Sequence, residues 1–286
     1  MALVTCADHP DLSADDRLLL PALERRGCRP VAARWDDPRE RWMHYDAVVL
    51  RSTWDYHRRV GDFLRWLDSL EGLANRLFNR LPTLRWNVNK RYLRDLETAG
   101  VPVAPTAWVP RGSPATLREL MDVVQADALV IKPTVSASAF QTWRVERHAA
   151  PEHEARFARL LAERDVMIQP FLPVIETEGE LSLVFLAGEF SHAVRKRPRA
   201  GDFRVQEEHG GTAEREEVSG RLVRQAARAL ASAPEPALYA RVDGVLMDGA
   251  LVVMELELVE PTLYLGLAAG APERFAAGLA AAIGLR

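Results

Sequence analysis

The segment Tyr239-Ala-Arg-Val-Asp-Gly-Val-Leu-Met-Asp-Gly-Ala-Leu-Val-Val-Met-Glu-Leu-Glu-Leu-Val-Glu-Pro261 leaves this chain little conformational choice. Polar and apolar residues alternate on both sides of Asp248-Gly249. Tyr239, Arg241 and Asp243 come before it and Glu255 and Glu257 after it, with Val242, Met254, Leu256 and Leu258 in between. A period of two belongs to β-strands with one apolar and one polar face, so a hairpin is predicted. Turn length then sets whether its acids meet. A two-residue Asp248-Gly249 loop pairs Met247 with Ala250 and sets Asp243 opposite Met254, facing away from the glutamates. A three-residue Met247-Asp248-Gly249 loop, closed by a left-handed Gly249, pairs Leu246 with Ala250. It sets Asp243 opposite Val253 and Arg241 opposite Glu255, with all four charged groups on one face. The three-residue register is the expectation. Carboxylates brought together resist ionising unless a cation sits between them, and their oxygens are ligands that Mg²⁺ takes. The same residues also fit a plain solvated face.

At 286 residues the chain has room for two or three lobes with a sizeable core. A formal net charge of −3 from nearly balanced acids and bases argues against a nucleic-acid or membrane-surface protein. The two cysteines, Cys6 and Cys28, are too few for a disulfide framework and are expected as reduced, buried thiols. Residues Met1 to Cys6 lack the basic and apolar runs of a signal peptide. No stretch approaches the ~20 apolar residues that span a bilayer. A cytoplasmic protein is therefore expected.

Leu3 to Cys6, Pro30 to Arg34 and Ala47 to Leu50 read as strands around a helix from Asp15 to Arg26 that Gly27 stops, which predicts a small parallel sheet. Ligands meet such sheets at the carboxyl ends of strands. The loop there is Arg51-Ser-Thr-Trp-Asp-Tyr56, so Arg51, Thr53, Asp55 and Tyr56 are candidate substrate contacts. Asn79 to Pro82 reads as a linker, Asn89 to Thr98 as a helix, and Val101 to Thr106 as an extended proline-rich connection. Further on, helices are predicted over Leu117 to Val124, Glu152 to Ala162, Gln225 to Ala231 and Glu273 to Ile283. Strands are predicted over Ala128 to Lys132, Val166 to Phe171, Leu181 to Leu186 and Glu189 to Arg195, the last two joined by Ala187-Gly188.

Several groups along this path suit a polyphosphate. Lys132 ends an apolar strand and leads into Pro133-Thr-Val-Ser-Ala-Ser-Ala-Phe140, where loop amides and hydroxyls could join the lysine around a phosphate. Val166-Met-Ile-Gln-Pro-Phe-Leu172 could offer an aromatic wall to a flat heterocycle. His192 to Arg197 and Gly201 to Thr212 supply cations and a Gly-Gly loop. Each alone equally suits a surface or core segment.

In this order the residues resemble the ATP-grasp superfamily: Lys90 after a linker, Lys132 on a strand, the Gln169-Pro-Phe-Leu172 hinge, Glu180, a cationic strand, then Asp243 and Glu255-x-Glu257. Leu50 to Tyr56, Leu84 to Leu93 and Phe190 to Gly211 are most similar to the cycloserine synthetase branch. The resemblance implies an α/β ATP-grasp fold: an N-terminal parallel-sheet domain over residues 1–83, then two α+β lobes over 84–168 and 169–286 that clasp ATP. It assigns Lys90 and Lys132 to the phosphates, Gln169, Phe171 and Leu172 to adenine, and Glu180 to the ribose. Asp243, Glu255 and Glu257 fall on the ligands of two Mg²⁺ ions, although the last is commonly Asn in relatives. Arg241, Lys196 and Arg204 become the catalytic cations, and Ser136 and His209 join the substrate contacts. One departure is the loop Ser136-Ala-Ser-Ala-Phe-Gln141, which has no glycine where relatives are glycine-rich and should be stiffer. The implied activity is Mg-ATP-dependent ligation of an amino-acid-like small molecule, either cyclisation or intermolecular carboxylate–amine joining. A nucleotide-binding protein without turnover is the rival, and a homodimer is left open.

Overall fold

Apolar runs too short to bury themselves are stacked into three sheets in the computed structural model, which describes residues 1–73 and 75–285. β1 (Ala2–Thr5), β2 (Val31–Arg34), β3 (Val48–Ser52) and β4 (Leu77–Phe78) form a parallel sheet in the order β2-β1-β3-β4. β5 (Ala107–Val109), β6 (Ala128–Pro133), β7 (Trp143–Glu146) and β8 (Val166–Pro170) form an antiparallel sheet in the order β5-β8-β6-β7. β9 (Glu180–Leu186), β10 (Glu189–Arg197), β11 (Thr212–Glu216), β12 (Tyr239–Met247) and β13 (Ala250–Glu257) form the third, ordered β11-β10-β9-β12-β13.

Each sheet is closed by helices whose apolar stripes match it. Leu117–Val124 and Ala150–Glu163 cover the second sheet, while Tyr92–Thr98 and Gly220–Leu230 cover the third. The first sheet is covered on one face by Val60–Ser69, through Phe63 and Leu67. Its other face shares a core with the helix Ala271–Ala282 and with Val184 and Tyr239 of the third sheet, so first and last segments pack together.

Local details depart from the pattern read in sequence. The helix expected from Asp15 to Arg26 is two pieces, Ala14–Arg17 and Leu19–Glu24, the second with Pro21 in its first turn; a proline there lacks the N–H to continue the preceding helix. The expected linker Asn79 to Pro82 runs into a helix, Leu81–Asn87, whose first turn holds Pro82 without loss of an intrahelical bond. That helix crosses residues 83 and 84, and β8 crosses 168 and 169. Ser219 caps a helix that starts five residues before the expected Gln225.

The β12–β13 hairpin corrects the expected turn. Met247 pairs with Ala250, so the loop is the two-residue Asp248-Gly249, with φ of +51° and +72° as a type I′ turn requires. The acids nevertheless meet, because the register shifts between Asp243 and Gly244. Gly244 opposes Val253, Asp243 opposes Glu255 and Arg241 opposes Glu257, which leaves Met254 as an extra residue. A bulge of one residue reverses the facing of everything beyond it. Gly244 makes the bulge possible: a Cβ there would run into the Val252 carbonyl oxygen.

β13 lies at the edge of its sheet, and its outer backbone groups are satisfied by side chains. Asn87 donates to Leu256 O at 2.7 Å and accepts from Leu258 N at 2.7 Å. Asn79 donates to Tyr239 O at 2.9 Å and Leu258 O at 2.8 Å, tying the end of the first sheet to the base of the hairpin. The connection Val101 to Thr106 is extended, as expected, and bonds to Val253 through Pro102 O and Ala104 N.

Gly244→Ala is expected to lower the unfolding free energy by about 2–4 kcal/mol through this clash. Gly249→Ala has open space around the new methyl and only a left-handed φ to sustain, so about 1 kcal/mol is expected. Urea unfolding of both variants measures the difference, and equal losses would contradict the bulge.

Candidate active site

Between the second and third sheets, under the carboxyl end of the first, lies a cavity of about 460 Å³. Its acidic floor comes from the bulged hairpin. One oxygen each from Asp243, Glu255 and Glu257 falls within 4.8 Å of the others. Taking such charges out of water is costly unless cations approach them, and cations do. Arg241 reaches Asp243 through Nε at 2.9 Å and Nη2 at 2.9 Å and also bonds Glu257. Lys90 Nζ lies 2.7 Å from Glu255, and Lys196 Nζ lies 2.5 Å from Glu180 and 3.4 Å from Asp243. Ser182, paired across the ladder on β9, donates its hydroxyl to Asp243 Oδ1 at 2.5 Å.

The protonation balance follows from these contacts. Burial alone would raise Asp243, but Arg241 and Lys196 hold it well below the usual carboxylate range. Glu255 is likewise lowered, with Lys90 and then Lys132 outweighing burial. Glu257 goes the other way: burial, helped by Glu255 and Asp243, pushes it up against Arg241. Burial also raises Glu180 despite Lys196. Among the lysines, Lys90 is raised because Glu255 overcomes its burial, whereas Lys132 is lowered by burial and by Lys90. Among the described residues Lys132 makes no ion pair, and it lines the cavity.

The hinge contributes by its period of two. Pro170 and Leu172 line the cavity, while Phe171 faces away, its ring 3.6 Å beneath the Arg144 guanidinium and its N–H bonded to Ala128 O at 2.8 Å. The aromatic ring on that wall is Phe203, packed edge-on against Phe171 at 6.1 Å, and the expectation for Phe171 is corrected. Gln169 is buried at the wall, and its amide donates to Thr106 Oγ1 at 3.0 Å.

Of the expected substrate contacts, Tyr56 and Ser136 line the cavity. Arg51 does not; it is 1% exposed, paired with Asp16 at 2.8 Å and bonded to Pro261 O at 2.8 Å. Arg51 and Ser52 still belong to β3, so the side chain next in alternation enters the core and not the loop. Thr53 is fully buried, and Asp55 accepts from Trp35 Nε1 at 2.7 Å within the first domain. His209 also lies off the cavity wall, whereas Arg204 is on it, paired with Asp202 at 2.8 Å. The glycine-free loop reaches left-handed φ without glycine, at Ser138, Ala139 and Gln141. It is pinned by Lys90 Nζ, which donates to Ser136 O at 2.7 Å, and by Phe140 against His57 at 4.6 Å.

Sequence reasoning passed over Ser182, Tyr264 and Glu260, all polar groups at or beside the cavity. Only Glu260 carried a signal, as the last acid of the hairpin segment. The donor set fits a hard divalent cation bound with a polyphosphate: oxygen ligands close together, and lysines on the same wall.

Residues 1–79 match the family model for the N-terminal domain of D-cycloserine synthetase DcsG. Residues 103–260 match the model for the ATP-grasp domain of prokaryotic glutathione synthetase. The chain is 34% identical over 293 residues to the cycloserine biosynthesis protein DcsG of Streptomyces lavendulae, covering 98% of this chain and 97% of that protein. It superposes on the crystal structure of D-cycloserine synthetase DcsG with a TM-score of 0.90, 32% identity and 99% of each chain covered. D-alanine–D-alanine ligase from Bacillus anthracis shares the fold, with a TM-score of 0.71 at 15% identity over 99% of this chain and 95% of that one. The chain accordingly belongs to the ATP-grasp ligases, a family that uses ATP with Mg²⁺, and is an ATP-dependent, C–N bond-forming enzyme resembling cycloserine synthetase.

Proposed function

We propose that this enzyme cyclises an amino-acid-like small molecule, with O-ureido-D-serine as substrate and D-cycloserine as product. The likeness to DcsG extends over both the N-terminal domain and the ligase lobes, which supports a shared substrate as well as a shared chemistry. The observation that carries the reading is the cavity itself, in which three carboxylates face Lys90, Lys132, Lys196 and Arg241. Bound Mg-ATP would supply the γ-phosphoryl group that makes the substrate's carboxylate oxygen a leaving phosphate when the ureido nitrogen attacks to close the ring. The carbamoyl group on that nitrogen is lost to water as CO2 and ammonia, so that O-ureido-D-serine, ATP and water balance D-cycloserine, ADP, phosphate, CO2 and ammonia. In this proposal Asp243, Glu255 and Glu257 hold two Mg²⁺ ions, Lys90 and Lys132 take phosphate charge, and Glu180 meets the ribose. Gln169, Pro170 and Leu172 wall the adenine. Arg241 and Lys196 neutralise charge that spreads over the transferred group, and Arg204 borders the same space. No side chain of the cavity needs to form a covalent bond. The free, buried Cys6 and Cys28 suit a reducing, cytoplasmic setting.

ADP release over a panel of O-ureido-D-serine, D- and L-amino acids and short peptides tests the proposal. Release with O-ureido-D-serine alone, accompanied by the ring product, is expected. Release only when a separate amine is added would make the enzyme an intermolecular ligase, and no release from any member would overturn the reading.

The lysines make opposite predictions for stability and binding. Lys132 is an unpaired cation, so Lys132→Met should raise the stability of the free protein by about 1 kcal/mol while weakening a non-hydrolysable ATP analogue at least about tenfold. Lys90→Met strands Glu255 and should cost about 1–3 kcal/mol in the free protein. Thermal unfolding and calorimetric titration read the two effects, and a Lys132→Met protein that is less stable yet binds normally would remove Lys132 from the site.

A further inference from the structure

One buried acid of the cavity makes no ion pair among the described residues. Glu180, Asp243, Glu255 and Glu257 are each ion-paired, but Glu260 makes no ion pair among the described residues, although it is only 8% exposed and lines the same cavity. Its charge is opposed by burial first, which pushes its carboxyl up to about 7 against the help of Lys90 and of the Tyr56 hydroxyl. Nor does it belong to the three carboxylates whose oxygens converge within 4.8 Å. An anion buried without a partner is costly, and a fold retains such a group most readily where a ligand brings the missing charge.

The surroundings of Glu260 are built. The Arg51 to Tyr56 segment surrounds it: Trp54 Nε1 donates to the Glu260 carbonyl at 2.8 Å, Arg51 Nη2 donates to the carbonyl of the next residue, Pro261, at 2.8 Å, and the Tyr56 hydroxyl acts on its carboxyl to lower its pKa. Arg51 is itself locked by Asp16 and sits over the Tyr239 ring, 4.9 Å from its centroid. A segment that looked in sequence like a set of direct substrate contacts instead fixes the backbone and side chain of one acid. Trp54, Tyr56 and His9 bound the cavity on the side of the first sheet, with His9 stacked edge-on against Trp54 at 4.7 Å.

We infer that Glu260 is the specificity-determining receptor for the ammonium group of the substrate, and that Arg51, Trp54 and Tyr56 are positioning residues acting through it. The inference rests on the proposed amino-acid-like substrate. It gives a partner to two cavity groups that make no ion pair among the described residues: phosphate for Lys132 and a primary ammonium for Glu260. A compact, strongly hydrated ammonium needs acceptors fixed in advance, and the three contacts from the first domain provide that fixation.

The test compares O-ureido-D-serine with its analogue lacking the α-amino group, on the wild type, Glu260→Gln and Tyr56→Phe. Steady-state ADP release and calorimetric titration in the presence of an ATP analogue and Mg²⁺ are the readouts. Glu260→Gln is expected to raise KM for O-ureido-D-serine by about 10- to 100-fold, the loss of a charge-assisted hydrogen bond, with KM for ATP nearly unchanged. The preference for the amine-bearing ligand over its analogue should collapse to about one in Glu260→Gln and fall by about 3- to 10-fold in Tyr56→Phe. A wild-type enzyme that releases ADP but whose Glu260→Gln variant keeps the full preference overturns this inference alone. Activity of Glu260→Gln restored by excess Mg²⁺ would make Glu260 a metal ligand and overturn it too. No ADP release from the wild type with any amine-bearing substrate overturns the proposed function, and the ammonium receptor with it.

Discussion

Asp243 and Glu255 face each other across neighbouring strands, and most of the site is arranged to make that tolerable. Opposed like charges in a sheet are destabilising, and here Asp243 is buried while Glu255 is partly exposed at the cavity wall. Arg241 holds Asp243 and Glu257 together, Lys90 reaches Glu255 from outside the sheet, and Lys196 spans Glu180 and Asp243. Buried pairs of this kind add little net stability. Their effect is to hold Asp243 and Glu255 in the ionised form, the state in which a carboxylate can take a divalent cation, while Glu257 is pushed up by burial and its acidic neighbours. Lys90 also bonds the Ser136 carbonyl, so the same lysine that compensates an acid fixes the loop above the cavity.

The hairpin's geometry explains how much of this was legible in the sequence. Alternation sets the polar face, and the residues that carry the family resemblance include all three acids of the floor. Turn length alone does not set the facing of the acids, because the ladder is broken by the bulge at Met254. A two-residue turn and a bulge at Met254 together give the same facing as the expected three-residue turn, but they set Arg241 opposite Glu257 and not opposite Glu255. A bulge leaves only a faint mark in one sequence: a glycine at position 244, needed because the neighbouring backbone closes on it.

Other failures share a cause. Arg51 reads as a polar loop residue, yet β3 runs two residues further than its apolar run and carries the guanidinium into the core, where Asp16 from a distant helix meets it. Phe171 reads as an aromatic wall, yet beyond the end of β8 its ring turns toward Arg144 and leaves the cavity to Pro170, Leu172 and Phe203. In each case the residue type was informative and its facing was not. Facing depends on where a strand ends, and that is settled by partners far away in the chain. The edge of β13 illustrates the point: Asn79, Asn87 and Tyr92 satisfy its backbone from three separate segments, and nothing near residues 250–258 announces them.

The central claim is that the acidic floor, neutralised by the protein's own cations when free, becomes a Mg²⁺ site when a nucleotide takes over those cations. Calorimetric titration of a non-hydrolysable ATP analogue, with and without Mg²⁺, on the wild type and on Glu255→Gln tests it most directly. Mg²⁺ should tighten binding to the wild type by about tenfold or more and leave the variant nearly unaffected. An equal Mg²⁺ effect in both proteins would contradict the claim.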